Sequence, residues 1–101
     1  MSTPFEVQRT TNETRLTIRG QLDINSAPAL AAEIDKIVAS KPERVEVDLS
    51  SLELIDSSGV AALVKLYKGV RSAGGAVSIS GARDQPLAIF KLLRMDKVFS
   101  M

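Results

Sequence analysis

The segments 5–9 and 14–18 alternate between apolar and polar residues, which is the spacing of half-buried β-strands. Thr11 and Asn12 lie in the polar stretch between these segments and favour a tight connection. The pattern therefore predicts a hairpin at the start of the chain, and Gly20 is expected to end its second strand.

A helix and a third strand are predicted next. Asn25 or Ser26 can cap a helix whose apolar residues recur at helical spacing, and the stretch 40–43 with its proline ends that helix. The segment 44–49 then alternates in the manner of a strand. The residues 52–55 are too apolar for an open loop, so we expect this link to tuck under the sheet.

The second half of the chain continues to alternate between helices and strands. A second helix is predicted to begin near residues 56–57 and to end at the glycine pair 74–75, as many helices do. The segment 77–79 indicates a fourth strand, Asp84 can cap a third helix, and residues 98–99 indicate a short final strand or an extended tail. The buried positions expected on the second helix are Val60, Leu63, Val64, Tyr67 and Val70.

Together these elements predict one α/β domain that spans residues 1–101, the length of a single domain. Strands that alternate with helices pair in parallel through right-handed crossovers, and the initial hairpin adds an antiparallel edge. We therefore expect a mixed, mostly parallel β-sheet with about three to four helices packed mainly on one face.

The absence of cysteine and histidine narrows the chemistry available to the chain. Disulfides, thiolate nucleophiles and cysteine metal sites are excluded, and the usual general base and the commonest metal ligand are missing. The glycines form neither a phosphate-binding loop nor a dinucleotide-binding fingerprint. Ser57 has no histidine base, and Lys65 would lie about two helical turns away. The sequence predicts no enzyme, no cofactor and no metal site.

Charge and hydropathy exclude further classes of protein. The 13 basic and 12 acidic residues are scattered and form no basic stripe, so binding to nucleic acid is not expected. No apolar run approaches the ~18 residues of a membrane span, and the polar segment 1–5 does not resemble a signal peptide. We therefore expect a cytoplasmic protein with no membrane contact.

The segment Val45 to Gly59 (VEVDLSSLELIDSSG) carries the most informative motif, because a strand, a short apolar link and a capped helix follow one another. In one interpretation Asp56 and Ser57 only cap the helix, a position that both residue types favour. In the other, a serine in the first turn is exposed at the positive end of the helix dipole, where a phosphate gains about 0.3–1 kcal/mol. Such a phosphate would leave the fold intact and disturb any partner docked over the helix start.

Two stretches of this pattern resemble the STAS domain of bacterial anti-sigma factor antagonists. They are Gly20-Gln21-Leu22-Asp23, before the first helix, and Leu54-Ile55-Asp56-Ser57-Ser58-Gly59-Val60, at the start of the second. Ala73-Gly74-Gly75 after the second helix strengthens the match. The resemblance covers the chain from the first hairpin to about Phe99 and implies the STAS fold.

The resemblance implies partner switching controlled by phosphorylation. In that family the unmodified domain binds a serine protein kinase of the GHKL ATPase type that doubles as an anti-sigma factor. Phosphorylation ends the complex, and a PP2C-type serine phosphatase restores it. The serine after the motif's aspartate accepts the phosphate, which is Ser57 here, with Ser58 as the second choice. The partner-binding residues implied in this way are Asp23, Ile24, Asn25, Asp56, Ser57, Ser58 and Val60.

Two carboxylates receive more specific roles from this resemblance. Asp56 would fix the loop and orient the Ser57 hydroxyl. Asp23 would lie near the phosphorylated serine, since the carboxyl ends of parallel strands meet at one edge of the sheet. An ordinary turn or capping role for Asp23 is an equally open interpretation.

One departure and one alternative accompany this hypothesis. Many family members continue past the last strand into a further helix, whereas this sequence reaches Ser100-Met101 without one, so contacts of such a helix are not expected. In the alternative, the chain is a constitutive STAS scaffold subunit of a transporter or sensory complex and has no phospho-switch. The two serines after Asp56 favour the switch, and the free protein is expected to be a monomer.

Overall fold

The computed structural model describes residues 5–99, which form four strands and four helices. The strands are β1 (Phe5–Arg9), β2 (Glu13–Leu22), β3 (Arg44–Ile55) and β4 (Ala76–Ser80). The helices are α1 (Ala27–Ala39), α2 (Ser57–Ser72), α3 (Asp84–Leu92) and α4 (Met95–Val98). The predictions about a signal peptide and about the chain end concern residues 1–4 and 100–101, which lie outside the described residues.

The four strands form one sheet in the order β1-β2-β3-β4. β1 and β2 pair as an antiparallel hairpin, whereas β3 pairs in parallel with both β2 and β4. On one face Leu16, Val47 and Ile79 are buried beneath the helices, while Arg15, Glu46 and their neighbours leave the other face polar and exposed. The predicted mixed, mostly parallel sheet with helices on one face is confirmed.

The prediction that β2 ends at Gly20 is wrong, because the strand continues to Leu22. The register between β2 and β3 shifts between Thr17 and Arg19 and again between Gly20 and Gln21, so β3 holds one extra residue at each place. Gly20 has a φ of +68°, which glycine adopts without strain. The glycine therefore marks a bulge and not the end of the strand.

The predicted link 52–55 is also part of β3 and does not tuck under the sheet. Buried residues occur at every second position in the first half of β3. Because of the bulges they then occur at every third position, at Leu49, Leu52 and Ile55. Leu54 remains 46% exposed. The change of spacing explains why an alternation pattern predicts only the first half of β3.

Asp48 ties the bulged region of β3 to β2. Its carboxylate accepts a hydrogen bond from the Ser50 N–H at 2.9 Å and one from the Arg15 guanidinium at 3.2 Å. These bonds, that of Ser50 foremost, hold the pKa of Asp48 below its ordinary value. Asp48 is also the last β3 residue that pairs with β4, opposite Ser80, so β3 continues beyond this point without β4 beside it.

One apolar core lies between the sheet and the helices. Leu30, Ile34 and Ile37 of α1 are fully buried, as the helical spacing predicts. On α2 the core extends beyond the predicted positions to Leu66. Of the positions predicted there, Val60, Leu63 and Val70 are buried, while Val64 and Tyr67 are partly buried.

The C-terminal region departs most from the predictions. Asp84 is the first residue of α3, with a φ of +52°, and Arg83 occupies the cap position that was predicted for Asp84. The helix α4 occupies residues up to Val98, where a final strand or an extended tail was predicted. Phe99 is 3% exposed because it packs edge-on against the rings of Tyr67 and Phe90, at centroid distances of 5.6 and 5.8 Å.

Candidate functional site

The candidate site forms where β2 and β3 end side by side. Leu22 pairs with Ile55, and the Asp56 N–H donates to the Leu22 carbonyl oxygen at 3.1 Å. The loop after β2 and the first turn of α2 therefore leave the sheet at the same end, as parallel pairing predicts. Residues 23–26 and 56–59 are called the helix-start site below.

Asp56 joins the two halves of the helix-start site. Its backbone is extended, with φ −115° and ψ −176°, and its Oδ1 accepts a hydrogen bond from the Gly59 N–H at 3.1 Å. Its Oδ2 accepts a second bond from the Ile24 N–H at 3.2 Å. Asp56 is therefore the N-cap of α2 and also holds the preceding loop against the helix, with one hydrogen bond to each carboxylate oxygen.

Gly59 allows this close approach of helix and sheet. A Cβ at Gly59 would lie 2.7 Å from Leu22 Cγ, 2.8 Å from Ile55 Cγ1 and 2.9 Å from the Leu22 carbonyl oxygen. A side chain cannot occupy that space unless the backbone of β2 moves. The glycine of the Asp56–Gly59 motif thus has a packing role.

Asp23 shapes the loop through its own neighbours. Its Oδ1 accepts hydrogen bonds from the Asn25 N–H at 2.9 Å and the Ser26 N–H at 3.3 Å. The Ser26 hydroxyl accepts from the Asp23 N–H and donates to the Gln21 carbonyl oxygen, each at 3.0 Å. The turn role left open by the sequence is therefore present, and no hydrogen bond within residues 5–99 joins Asp23 to Ser57.

The predicted site residues differ in how far they reach the surface. Ser57 and Asn25 are exposed, Ser58 is partly buried, and Ile24 is 70% exposed despite its apolar side chain. Val60 is only 5% exposed and belongs to the core. The structure corrects the prediction that Val60 contacts a partner, because this residue supports α2 from below.

A shallow apolar groove lies beside Ser58, between α1 and α2. Most of the side chains that line it are small, and the exposed Ile24 also lines the groove. A Lys65 Nζ–Asp35 Oδ1 ion pair of 3.0 Å also joins these helices. The groove is lined by Ile24, Ala27, Pro28, Ala31, Ser58 and Ala61, among others.

Gln85 is a residue of the site region that the sequence motifs did not indicate. Its side-chain Oε1 accepts from the Ile55 N–H, and its Nε2 donates to the Ile55 carbonyl oxygen, both at 2.9 Å. The two residues are 30 positions apart in the chain, so no local spacing pattern connects them. Gln85 contacts the backbone directly before the N-cap of α2.

Residues 5–99 show neither a cluster of metal-ligating side chains nor a membrane-spanning helix. No group of three or more acidic side chains there is placed to hold a metal ion. No helix in that part of the chain is both long and apolar enough to span a bilayer.

The fold and the site define a small α/β domain in which a capped and partly exposed helix start is held against a loop. The chain belongs to the STAS-domain family, whose model described as "Mlab, STAS domain" matches residues 5–100. The family resemblance of the two sequence stretches is thereby confirmed.

Relatives of the chain carry related names. The anti-sigma-F factor antagonist RsfB of Mycobacterium tuberculosis is 30% identical over 90 residues, which cover 85% of this chain and 70% of RsfB. The crystal structure of an anti-sigma factor antagonist from Mycobacterium paratuberculosis matches with a TM-score of 0.84 at 25% identity, covering 98% of this chain and 87% of that chain. These relatives are regulatory binding proteins, and the prediction that the chain is not an enzyme is confirmed.

The fold is also shared with a protein solved in a phosphorylated state. The Bacillus cell fate determinant SpoIIAA in its phosphorylated form matches with a TM-score of 0.75 at 16% identity, covering 92% of this chain and 86% of that chain. At this level of identity the match describes the fold.

Removing the carboxylate of Asp56 is expected to loosen the helix-start site. Asp56→Ala loses the cap and the bond to Ile24, so the free energy of unfolding should fall by about 1–2 kcal/mol. Asp56→Asn retains a cap oxygen for Gly59 and should lose less. Urea denaturation monitored by circular dichroism measures both changes, and an Asp56→Ala variant as stable as the wild type would contradict the bridging role.

Proposed function

We propose that this chain is an anti-sigma factor antagonist whose binding is switched by phosphorylation of Ser57. When Ser57 is unmodified, the domain binds a serine protein kinase of the GHKL ATPase type that acts as the anti-sigma factor. Phosphorylation by that kinase ends the complex, and a PP2C-type serine phosphatase restores it. The observation that carries the proposal is an exposed Ser57 hydroxyl directly after the N-cap Asp56, beside an apolar groove.

The first turn of α2 can accept a phosphate without unfolding. Within residues 5–99 no hydrogen bond is made by the N–H groups of Ser57 and Ser58, which are among the free donors at the start of every helix. A phosphate on Ser57 would also lie at the positive end of the helix dipole. We therefore expect the modified domain to keep its fold.

The same phosphate would change the character of the docking surface. It adds nearly two negative charges directly after Asp56, whose carboxylate takes part in none of the ion pairs found in residues 5–99. A partner that covers Ile24 and the groove would have to bury this unpaired charge, which is costly. Phosphorylation thus opposes binding while the fold persists.

The proposed docking surface comprises the loop after β2 and the exposed part of the α2 start. Ile24 is the apolar anchor of this surface. Its side chain is 70% exposed to water, and a partner that covers it would gain the free energy of burying that apolar area. Asp23 and Asn25 flank this anchor, and Ser57 and Ser58 complete the surface. A cytoplasmic location and a monomeric free state are part of the same proposal.

The proposal is supported by the names of the relatives and by a fold neighbour solved in phosphorylated form. The alternative is a constitutive STAS scaffold subunit of a transporter or sensory complex, in which the same surface binds permanently. The two differ in whether Ser57 is modified.

The test is phosphate transfer to the purified domain. The wild type is incubated with ATP and the serine kinase encoded nearest to its gene, and intact mass and peptide mapping follow. We expect one phosphate on Ser57, which Ser57→Ala abolishes and Ser58→Ala retains. Stable binding without any phosphate would contradict the switch and favour the scaffold, and a phosphate on Ser58 would reassign the acceptor.

A further inference from the structure

We infer that Gln85 is a positioning residue for the helix-start site, and that it connects α3 to the proposed switch. The inference rests on the proposed function for its effect on partner binding. Its structural part concerns how the backbone before Asp56 is held.

The end of β3 lacks a strand on one side. β4 pairs with β3 only from Arg44 to Asp48, whereas β3 continues to Ile55. A residue in a parallel strand directs its N–H and its carbonyl oxygen to the same side. Those of Ile55 point away from β2, to the side on which β4 no longer pairs with β3. Buried peptide groups need partners, so this position requires a donor and an acceptor together.

The Gln85 amide supplies both groups. Its two bonds of 2.9 Å to the Ile55 N–H and carbonyl oxygen reproduce, for one residue, the pairing that a further strand would give. A primary amide carries an acceptor and a donor side by side, and only asparagine shares this chemistry, on a shorter side chain. The identity of residue 85 is therefore tied to this contact.

Ile55 transmits the position of Gln85 to the site in two ways. Its side chain is 3% exposed and lies beneath Gly59, where an added Cβ would be 2.8 Å from Ile55 Cγ1. Its carbonyl carbon is bonded to the nitrogen of Asp56, which caps α2 and holds the Ile24 N–H. A shift of Ile55 thus moves both the side chain that packs beneath Gly59 and the N-cap residue Asp56, and with them Ser57.

The first experiment compares Gln85→Met with the wild type by NMR. Methionine keeps the length of the side chain and removes the amide. We expect amide exchange of Ile55 to become faster by about tenfold and the Gly59 amide resonance to shift, because its bond to Asp56 is displaced. Ile89→Val is the matched control, since it loosens the packing of α3 without touching the Ile55 backbone, and it should leave both signals unchanged.

A second variant provides a rescue that general destabilisation cannot mimic. In Gln85→Glu the ionised carboxylate still accepts from the Ile55 N–H but faces the Ile55 carbonyl oxygen, so both signals should be altered at about pH 8. The protonated acid accepts and donates like the amide, so the signals should return toward wild type as the pH falls below the ordinary glutamate pKa of about 4.3. The charged residues near this contact along the chain are Glu53, Asp56, Arg83 and Asp84, and the methionine variant corrects for their titration.

Binding to the kinase, measured by calorimetry, completes the test. We expect Gln85→Met to bind several-fold more weakly than Ile89→Val. Unchanged Ile55 and Gly59 signals in Gln85→Met would overturn the inference, and so would altered signals with unchanged binding. If the wild type does not bind the kinase, the proposed function fails, while the NMR comparison and the rescue still decide the positioning role.

Discussion

Ser57→Asp is expected to bind the kinase on the order of tenfold more weakly than the wild type, while the domain stays folded. The carboxylate lies in the exposed first turn of α2, where the helix dipole favours a negative charge. A partner that covers Ile24 and the groove would have to bury that charge, which is costly. Ser57→Ala keeps the surface neutral, so it should bind like the wild type and accept no phosphate at this position.

Calorimetric titration of the kinase with both variants measures the difference. Ser72→Asp is the control, because it adds the same charge to an exposed position at the other end of α2, and its affinity should match the wild type. Thermal unfolding of each variant separates loss of binding from loss of structure. Equal affinities for Ser57→Ala and Ser57→Asp would remove Ser57 from the switch.

Gly59→Ala is expected to lower the free energy of unfolding by about 2–3 kcal/mol. The added Cβ would lie 2.9 Å from the Leu22 carbonyl oxygen, a backbone atom that cannot rotate away, and within 2.8 Å of both Leu22 Cγ and Ile55 Cγ1. Relief requires α2 to move away from the sheet, which also displaces the Asp56 cap. Partner binding should therefore weaken together with stability.

Gly69→Ala in the same helix is the matched control for this prediction. Its added Cβ would meet Val38 Cγ2 at 2.7 Å and Cγ1 at 3.1 Å, which are contacts with a partly buried side chain and not with the backbone of a strand. Alanine also favours the helical conformation over glycine by about 1 kcal/mol. We therefore expect a smaller loss of stability in urea denaturation than for Gly59→Ala, and equal losses in the two variants would show that the contact with the β2 backbone is not decisive.

The sequence predicted the elements of the fold wherever one periodicity holds throughout an element. The hairpin, α1 and the start of α2 follow from alternate or helical spacing of apolar residues and from cap residues. β3 was predicted only in part, because each bulge inserts a residue and turns the following side chains to the opposite face. α4 was missed because its four residues are too few to show a period.

The candidate site was predictable to the extent that it is local in sequence. A cap residue followed by serine and glycine indicates a helix start, and parallel topology places the loop after β2 beside it. The contacts that shape the site are of another kind, because the Asp56–Ile24 and Gln85–Ile55 bonds join side chains to backbone atoms 32 and 30 positions away. Such contacts leave no spacing pattern, and the folded backbone is needed to find them.

The helix-start site contains residues that hold its backbone in place and residues whose side chains form its exposed surface. Asp56, Gly59 and Gln85 hold the backbone in place. The side chains of Ile24 and Asn25 make no hydrogen bond within residues 5–99, and only their N–H groups are used. Substitutions at these two positions can therefore alter the recognised surface with little cost to folding. In a genome that encodes several such domains, duplicated copies could diverge at these positions and bind different partners while keeping the same scaffold.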